Sequence, residues 1–270
     1  IDKTGFEKEM NMQRQRAKES SHMKGNIFEE GPLDTIKEQS SETTFLGYNS
    51  YEAEGKVIGL IANEELVHSA EAGQDVRIVL DQTPFYGESG GQIGDTGTIQ
   101  TEHAMIAVND TKTLNNIIVH LGTVMKGKIT TNEKAISKID KKRREAIRRN
   151  HSATHLLHYV LRQVIGQHAE QSGSLVAADR FRFDFHHFAG ITKDELARIE
   201  EMINEMIMEN TRVSVQEMTL NEAQETGAVA LFGEKYSENV KVVNIGNFSR
   251  ELCGGTHVIS TGQIGLFKII

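Results

Sequence analysis

The sequence is poor in cysteine, proline and tryptophan. Its 270 residues include one cysteine, two prolines and no tryptophan. A single cysteine excludes an internal disulfide, which is typical of proteins from a reducing, cytoplasmic compartment. The few prolines and the lack of a long low-complexity run argue against an intrinsically disordered chain. The length suffices for one large or two medium globular domains.

Long apolar runs are also missing. No stretch of about 18 apolar residues occurs, so we expect no membrane-spanning helix and no membrane partner. The first residues, IDKTGFEKEM, have neither a basic region nor an apolar core, so they do not resemble a signal peptide. Because position 1 is Ile1 and not an initiator methionine, we expect a piece of a longer protein.

The formal net charge is −8, which does not favour a nucleic-acid partner, because phosphate binding needs clustered lysine and arginine. Residues 138–149 are a local exception, since seven basic minus two acidic side chains leave a charge of +5. This run is either a solvated helix face or a phosphate-binding surface. Its candidate phosphate-binding residues are Lys141, Lys142, Arg143, Arg144, Arg148 and Arg149.

Periodicity divides the chain into three parts. Residues 1–30 are predicted to form a helical linker, with Phe6 and Met10 on one stripe. Residues 31–133 are predicted to form a small, glycine-rich, antiparallel β-barrel-like domain, because short β-branched runs alternate with turn residues. Residues 134–270 mix helical and alternating patterns and predict an α+β domain. The expected fold class is therefore α+β.

Local signals within the third part predict its helices and strands. One helix is expected between an N-cap at Asp140 and a glycine after its end, Gly166. The alternating run FRFDF predicts a half-buried strand, and TKDE at 192–195 predicts a capping box that begins a second helix. The runs RVSVQEM and VKVVNIG predict further strands.

Two short motifs contain residues of the types that bind metals. HSATH places His151 and His155 four residues apart, so on a helix both imidazoles lie on one face, turned towards a cleft or solvent. CGGTH places Cys253 four residues before His257, with glycines that permit a tight turn. Together they supply the nitrogen and sulfur donors that Zn²⁺ prefers. The alternatives are two exposed histidines and an inert, buried thiol.

The donor count leaves the type of zinc site open. Structural sites are closed by four protein ligands, whereas hydrolytic sites use three and keep a place for water. The motifs fit a hydrolytic site if one ligand is loose or the metal expands its shell.

A glycine-rich segment, FYGESGGQIGDTG, occupies residues 85–97. It predicts either a turn-rich corner of the barrel or a backbone that presents its amides to a ligand. It has no Gly-Lys-Ser/Thr and so is not a P-loop. The candidate pocket residues in it are Ser89, Gly90, Gly91 and Gln92.

The combination of RNHSATHLLH, FYGESGGQIGDTG and SRELCGGTH resembles bacterial alanyl-tRNA synthetase, over essentially the whole chain. Threonyl-tRNA synthetases and free-standing alanyl-tRNA editing proteins share a similar zinc domain, and the glycine-rich segment resembles the alanyl branch. The N-terminal stretch resembles the link that follows the tRNA-recognition region. The resemblance implies a middle portion of that enzyme, without its aminoacylation and C-terminal dimerisation domains.

The resemblance implies an editing activity that hydrolyses mischarged Ser-tRNA(Ala) and Gly-tRNA(Ala). An alanine pocket rejects serine or glycine by only roughly 10–200-fold, so a second, hydrolytic site is needed. In the full-length enzyme, other domains would ligate alanine to tRNA(Ala) with ATP. The implied partner is tRNA(Ala) in the cytoplasm, and the oligomeric state stays open.

The resemblance also implies roles for individual residues. Zn²⁺ would orient the substrate amine or polarise a water. Thr154 and Gln171 would sense the serine hydroxyl, the alternative for Gln171 being a solvated loop residue. The basic run would contact tRNA phosphates. The implied zinc ligands are His151, His155, Cys253 and His257.

Two other functions fit the same sequence. A structural-zinc module would bind tRNA without catalysis of its own. In a plain α+β interaction domain, the histidines would bind no ligand. A measurement of bound zinc distinguishes the plain interaction domain, which would bind none, from the editing enzyme and the structural-zinc module.

Overall fold

The computed structural model describes residue 10 and residues 31–39, 42–114, 116–229 and 237–270. Apart from Met10, the linker predicted at 1–30 lies outside these residues. No helix in the described ranges is long and apolar enough to cross a membrane. The described part mixes helices and antiparallel strands, which confirms the predicted α+β class.

The first half of the described chain contains one helix and a series of strands. Helix α1 begins at a proline, whose fixed φ suits a first helical residue. The elements are α1 Pro32–Gln39, β1 Thr44–Phe45, β2 Glu52–Ala62, β3 Glu65–Leu66, β4 Ser69–Glu71, β5 Asp75–Leu80, β6 Gln82–Thr83, β7 Gly97–Thr101, β8 Ala104–Leu114, β9 Ile117–Thr130 and β10 Lys134–Ile139.

Six of these strands close into an antiparallel barrel. They pair in the order β10, β7, β8, β9, β5, β2, and β10 pairs back onto β2. Alternate side chains fill the interior, among them the fully buried Val57, Ile99 and Ile106. The predicted antiparallel barrel is therefore confirmed. Its closing strand covers residues 134–139, which the sequence pattern assigned to the α+β domain.

The second half of the described chain packs two long helices with antiparallel strands. Leu156 and Val160 of the first long helix, Ile203 of the second and Val243 of the sheet share one apolar core. The elements are α2 Lys141–Val164, β11 Gln171–Val176, β12 Phe181–Phe185, α3 Lys193–Met208, β13 Val213–Thr219, α4 Leu220–Glu225, β14 Asn239–Ile245, β15 Ser249–Leu252 and a 3₁₀ turn Thr261–Ile264.

The predicted caps and strands of this half are confirmed. The Asp140 side chain accepts a hydrogen bond from the first turn of α2, and Gly166 follows its C-cap with φ of +127°. Thr192 and Glu195 form the reciprocal capping box of α3. FRFDF is strand β12, and the other two predicted runs correspond to β13 and β14.

The glycine-rich segment joins the two halves. The Ile93 amide donates to the Val176 carbonyl at 3.1 Å, and the Val176 amide donates to the Gly91 carbonyl at 2.7 Å. The amide of Asp140 donates to Thr96 at 2.7 Å, just where α2 begins. These contacts fix a barrel loop against β11 and against the helix that carries the histidines.

Candidate metal centre

Helix α2 carries His151 and His155 on one face, as their spacing predicts. Their rings stack with centroids 5.4 Å apart and an interplanar angle of 7°. The histidines are only 5% and 6% exposed, because the turn after β15 covers this face. The alternative of two solvent-exposed histidines is therefore wrong.

The turn after β15 brings Cys253 and His257 to the same place. The Cys253 sulfur lies 3.3 Å from Nε2 of His151 and 3.4 Å from Nε2 of His257. One donor atom from each of the four residues, His155 included, lies within 4.8 Å of all the others. Gly255 permits this approach, because a β-carbon there would overlap the His151 ring. The two distant motifs thus form one cluster.

Two sulfur-to-nitrogen distances in the cluster suit a tetrahedral ion. Bonds of about 2.3 Å to sulfur and about 2.0 Å to nitrogen put tetrahedral sulfur and nitrogen ligands roughly 3.5 Å apart. The sulfur-to-nitrogen distances of 3.3 and 3.4 Å are close to that value. Among the described residues, the buried Nε2 of His155 has no well-directed hydrogen bond, so it is free to bind a metal. The cluster can therefore hold a metal ion.

Glu251 orients the cluster from strand β15. Its carboxylate accepts hydrogen bonds from Nδ1 of His155 at 2.8 Å, from Nδ1 of His158 at 3.2 Å and from the Ser249 hydroxyl at 2.7 Å. Because a carboxylate only accepts, it keeps a proton on Nδ1 of His155 and leaves Nε2 as the ligand atom. In zinc sites, a ligating histidine commonly donates its other ring N–H to a carboxylate.

Burial opposes the charges of this carboxylate–histidine pair, but their attraction is stronger. Burial would lower the pKa of His155, yet the Glu251 carboxylate raises that pKa to about 10. Burial would likewise raise the pKa of Glu251, yet His155 and His158 hold it well below its usual range. Metal binding at Nε2 of His155 would therefore release a proton.

The other two histidines have neutral partners. Nδ1 of His151 donates to the side-chain carbonyl of Gln92 at 2.7 Å. Nδ1 of His257 lies 3.4 Å from the Ser152 hydroxyl oxygen. Burial, followed by the charge of His151, lowers the pKa of His257 to about 4, which favours the neutral imidazole that a metal requires.

The Cys253 thiol is prepared for metal binding. Burial would raise its pKa, but the adjacent His151 and His257 hold it well below the usual range. The thiolate is the form of cysteine that binds metals, and imidazole with thiolate is a donor set that suits zinc.

Comparison with known proteins gives the family of the chain. Residues 1–143, more than half of the chain, match the model of the class II tRNA synthetases (A). The chain belongs to this family. Residues 240–270 match the second additional domain of threonyl and alanyl tRNA synthetases, and these residues include Cys253 and His257.

Bacterial alanine–tRNA ligases match along the whole chain. The enzymes of Thermoanaerobacter sp. (strain X514) and Bacillus velezensis are each 46% identical to it, and that of Clostridioides difficile is 44% identical, all over 100% of the chain. The chain spans 31% of the length of each relative. The resemblance to alanyl-tRNA synthetases is thereby confirmed.

The basic run divides into exposed and buried side chains. Arg144 is wrong as a candidate RNA contact, because it is 0% exposed and paired with Asp95. Arg148 also points inward and donates to the His257 carbonyl at 2.6 Å. Lys141 and Lys142 are exposed, whereas Arg143 and Arg149 are half-buried.

The predicted substrate-sensing residues lie in different elements. Thr154 stands on the histidine face of α2, is 5% exposed and donates its hydroxyl to the Asn150 carbonyl at 2.9 Å. Gln171 begins strand β11 and is half-buried, so it is not the solvated loop glutamine of the alternative interpretation. Their roles towards a substrate stay predictions.

The predicted pocket residues of the glycine-rich segment form a tight turn. Ser89 and Gln92 exchange backbone hydrogen bonds of 3.2 and 3.0 Å, and Gly90 and Gly91 have positive φ between them. Ser89 and Gly90 are exposed, whereas Gln92 is fully buried and contacts His151. That contact does not follow from the sequence.

Sequence reasoning also missed Glu251. It precedes Cys253 by two residues within RELCGGTH, on a strand whose other buried residues are Ser249 and Leu252. An acidic residue at an inward position of a short strand was the available signal, because a buried carboxylate needs a partner.

Proposed function

We propose that this chain is the editing part of an alanyl-tRNA synthetase, a zinc-dependent deacylase that removes serine and glycine from mischarged tRNA(Ala). The buried cluster of three histidines and one cysteine carries the proposal. Similarity to alanine–tRNA ligases along the whole chain supports tRNA(Ala) as the partner, and the match of residues 240–270 supports an editing domain.

The proposed reaction is needed because an alanine pocket discriminates poorly against glycine and serine. A pocket built for alanine gains little selectivity against glycine, which lacks one methyl group, or serine, which adds one hydroxyl. Such differences amount to about 1–3 kcal/mol, so a second site has to hydrolyse the wrong ester.

The chain supplies the residues that this hydrolysis needs. A bound zinc ion would act as a Lewis acid near the ester carbonyl. Glu251 would hold His155 so that Nε2 stays directed into the cluster. Thr154 lies on the same helix face, and its hydroxyl oxygen keeps a lone pair that can accept a hydrogen bond from a substrate hydroxyl or ammonium. Gln171 would add a second polar contact to the serine side chain.

The cysteine side of the cluster is its open side. Cys253 is half-buried and Gly254 is exposed, whereas the three histidine ligands are nearly closed to solvent. Tyr48 of the barrel half borders this opening, because its hydroxyl donates to the Gly254 carbonyl at 2.7 Å. The Lys241 ammonium lies 4.3 Å from the centre of the Tyr48 ring. We place the 3′ end of the tRNA here.

A single-turnover assay tests the proposal. The chain, in excess, is mixed with Ser-tRNA(Ala), Gly-tRNA(Ala) or Ala-tRNA(Ala), with and without bound zinc. The zinc-loaded protein should hydrolyse the seryl and glycyl esters at least tenfold faster than the alanyl ester, and the chelated protein should be inert. Equal rates for all three esters would contradict editing.

A structural-zinc module that binds tRNA is the second candidate. The four-donor set favours it, because four protein ligands close a tetrahedral site. Its signature in the same assay is a protein that retains zinc and binds tRNA but leaves Ser-tRNA(Ala) intact. Gln171→Ala separates the two candidates further, since it should slow deacylation without changing the zinc content.

A further inference from the structure

Gln92 belongs to the barrel half, but its side chain ends in the metal centre of the other half. It is 0% exposed. Its Oε1 accepts hydrogen bonds from Nδ1 of His151 at 2.7 Å and from the amide of Thr256 at 2.9 Å. Its Nε2 donates to the Thr256 hydroxyl at 3.0 Å. One side chain thus contacts both motifs that supply the metal ligands.

These partners determine which way the Gln92 amide points. The Thr256 amide can only donate, so the atom facing it has to be the side-chain oxygen. The same oxygen then faces Nδ1 of His151, which therefore carries the proton. Nε2 of His151, 3.3 Å from the Cys253 sulfur, is then the ring nitrogen that would serve as the ligand atom.

The backbone around Gln92 cannot easily shift. The tight turn at 89–92 precedes it, and the two hydrogen bonds with Val176 hold Gly91 and Ile93 on either side of it. Gly91 has φ of +79° and packs so closely on Ser174 that a β-carbon would come within 2.8 Å of its carbonyl oxygen. Gly90 and Gly91 thus form the turn that directs the Gln92 side chain towards His151.

We propose that Gln92 is a positioning residue of the metal centre, and that the affinity of the centre for zinc depends on the docking of the barrel through this side chain. The inference rests on the proposed zinc site. Gln92 fixes the tautomer and the ring orientation of His151 with a neutral acceptor, as Glu251 does for His155 with a charged one. A ligand histidine without such an acceptor can turn its ring or move its proton to the ligating nitrogen.

Zinc affinity of Gln92 variants, measured by competition with a chromophoric chelator, tests the proposal. Gln92→Met keeps the side-chain volume but removes the acceptor, and it should weaken zinc binding about 10–100-fold. Gln92→Glu keeps an oxygen at Nδ1 of His151, and the Thr256 hydroxyl can rotate to donate to the other oxygen. It should retain zinc affinity within a few fold. Gln100→Met, at an exposed position of the barrel, is the matched control and should bind like the wild type.

A second readout separates positioning from general destabilisation. With Co²⁺ in place of zinc, Gln92→Met should alter the visible absorption spectrum at saturation, and Gln92→Glu should restore its shape. Wild-type affinity in Gln92→Met, or equal losses in Met and Glu variants, would overturn the role of the acceptor. A wild-type protein that binds zinc but leaves Ser-tRNA(Ala) intact would contradict the proposed function only, whereas one that binds no zinc would contradict both.

Discussion

Arg144 and Asp95 form an ion pair that is closed to solvent, with side chains 0% and 1% exposed. Arg144 lies on the helix of the metal centre and Asp95 in the glycine-rich segment of the barrel half. The guanidinium also donates to the carbonyls of Gly47 at 2.6 Å and Pro84 at 2.9 Å, and the carboxylate accepts the Tyr86 amide at 2.7 Å. All of these partners come from the barrel side.

Removal of Asp95 should therefore destabilise the whole protein. Asp95→Ala leaves a buried guanidinium without its counter-charge, and we expect the free energy of unfolding to fall by about 3–5 kcal/mol. Urea denaturation at neutral pH measures it. The matched control is Glu201→Ala, which breaks a pair with Arg198 whose side chains are 56% and 60% exposed, and should cost less than about 1 kcal/mol. Equal losses of stability in the two variants would show that the buried ion pair contributes no more than the exposed one.

Acid should weaken the barrel through His120. Its ring is fully buried between the Thr83 hydroxyl at 2.8 Å and the Ile78 carbonyl at 2.9 Å. Burial lowers the pKa from 6.5 to about 4, in spite of the hydrogen bond to Ile78. Between these values the unfolded chain binds a proton that the folded chain does not. Stability is thus full above pH 6.5 and falls by up to about 3 kcal/mol as pH drops to 4.

A histidine substitution isolates this contribution. His120→Gln should flatten the pH dependence of unfolding between pH 6.5 and 4, although it lowers stability at neutral pH. His103→Gln, at an exposed position, should leave the slope as it is in the wild type. An unchanged slope in His120→Gln would assign the acid sensitivity to other groups.

The two glycines of CGGTH should differ sharply in their tolerance of a methyl group. A β-carbon on Gly255 would overlap the His151 ring and lie 3.0 Å from Oε1 of Gln92, whereas one on Gly254 meets nothing within 4 Å. Gly255→Ala should displace His151 and lower zinc affinity at least about tenfold. Gly254→Ala should bind zinc like the wild type in the same chelator competition. Similar affinities in the two variants would contradict the observed packing.

Binding of tRNA should depend on the exposed lysines of the basic run and not on its buried arginine. The double charge reversal of Lys141 and Lys142 to glutamate should weaken tRNA binding and reduce the slope of log affinity against log salt by roughly 2. The same reversal at Lys126 and Lys128, which are exposed on β9, is the control and should change the tRNA affinity and the salt slope less. Reversal at Arg144 is uninformative, because it would unfold the protein. An unchanged salt slope would identify the run as a solvated face.

Signals that are local in sequence predicted the structure well. The caps at Asp140 and Thr192, and the alternation in FRFDF, depend on neighbours within a few residues. The four donor residues of the cluster could be picked out for the same reason, since each pair lies within a five-residue motif. That the two pairs would meet was expected from the donor types that zinc prefers, because no sequence pattern links residues 151 and 253.

Features that depend on distant partners could not be predicted. Arg144 has the same sequence signal as the exposed lysines beside it, and only its pairing with Asp95 makes it a core residue. From the sequence alone, Gln92 is a turn residue, and its burial depends on the pairing of its segment with the distant strand β11. The sixth barrel strand, KAISKI, is short and polar on one side, so its role depends on the edges of β2 and β7 that it joins.

The strand that closes the barrel continues almost directly into the histidine helix, since β10 ends at Ile139 and α2 begins at Lys141. A gene fragment or a protease cut before β10 would leave β2 and β7 with open edges, which invite aggregation. It would also leave the other piece with an unpaired strand that exposes Ala135 and Ile139. Because both pieces lose strand pairing, we expect neither half to fold well when the chain is divided before β10.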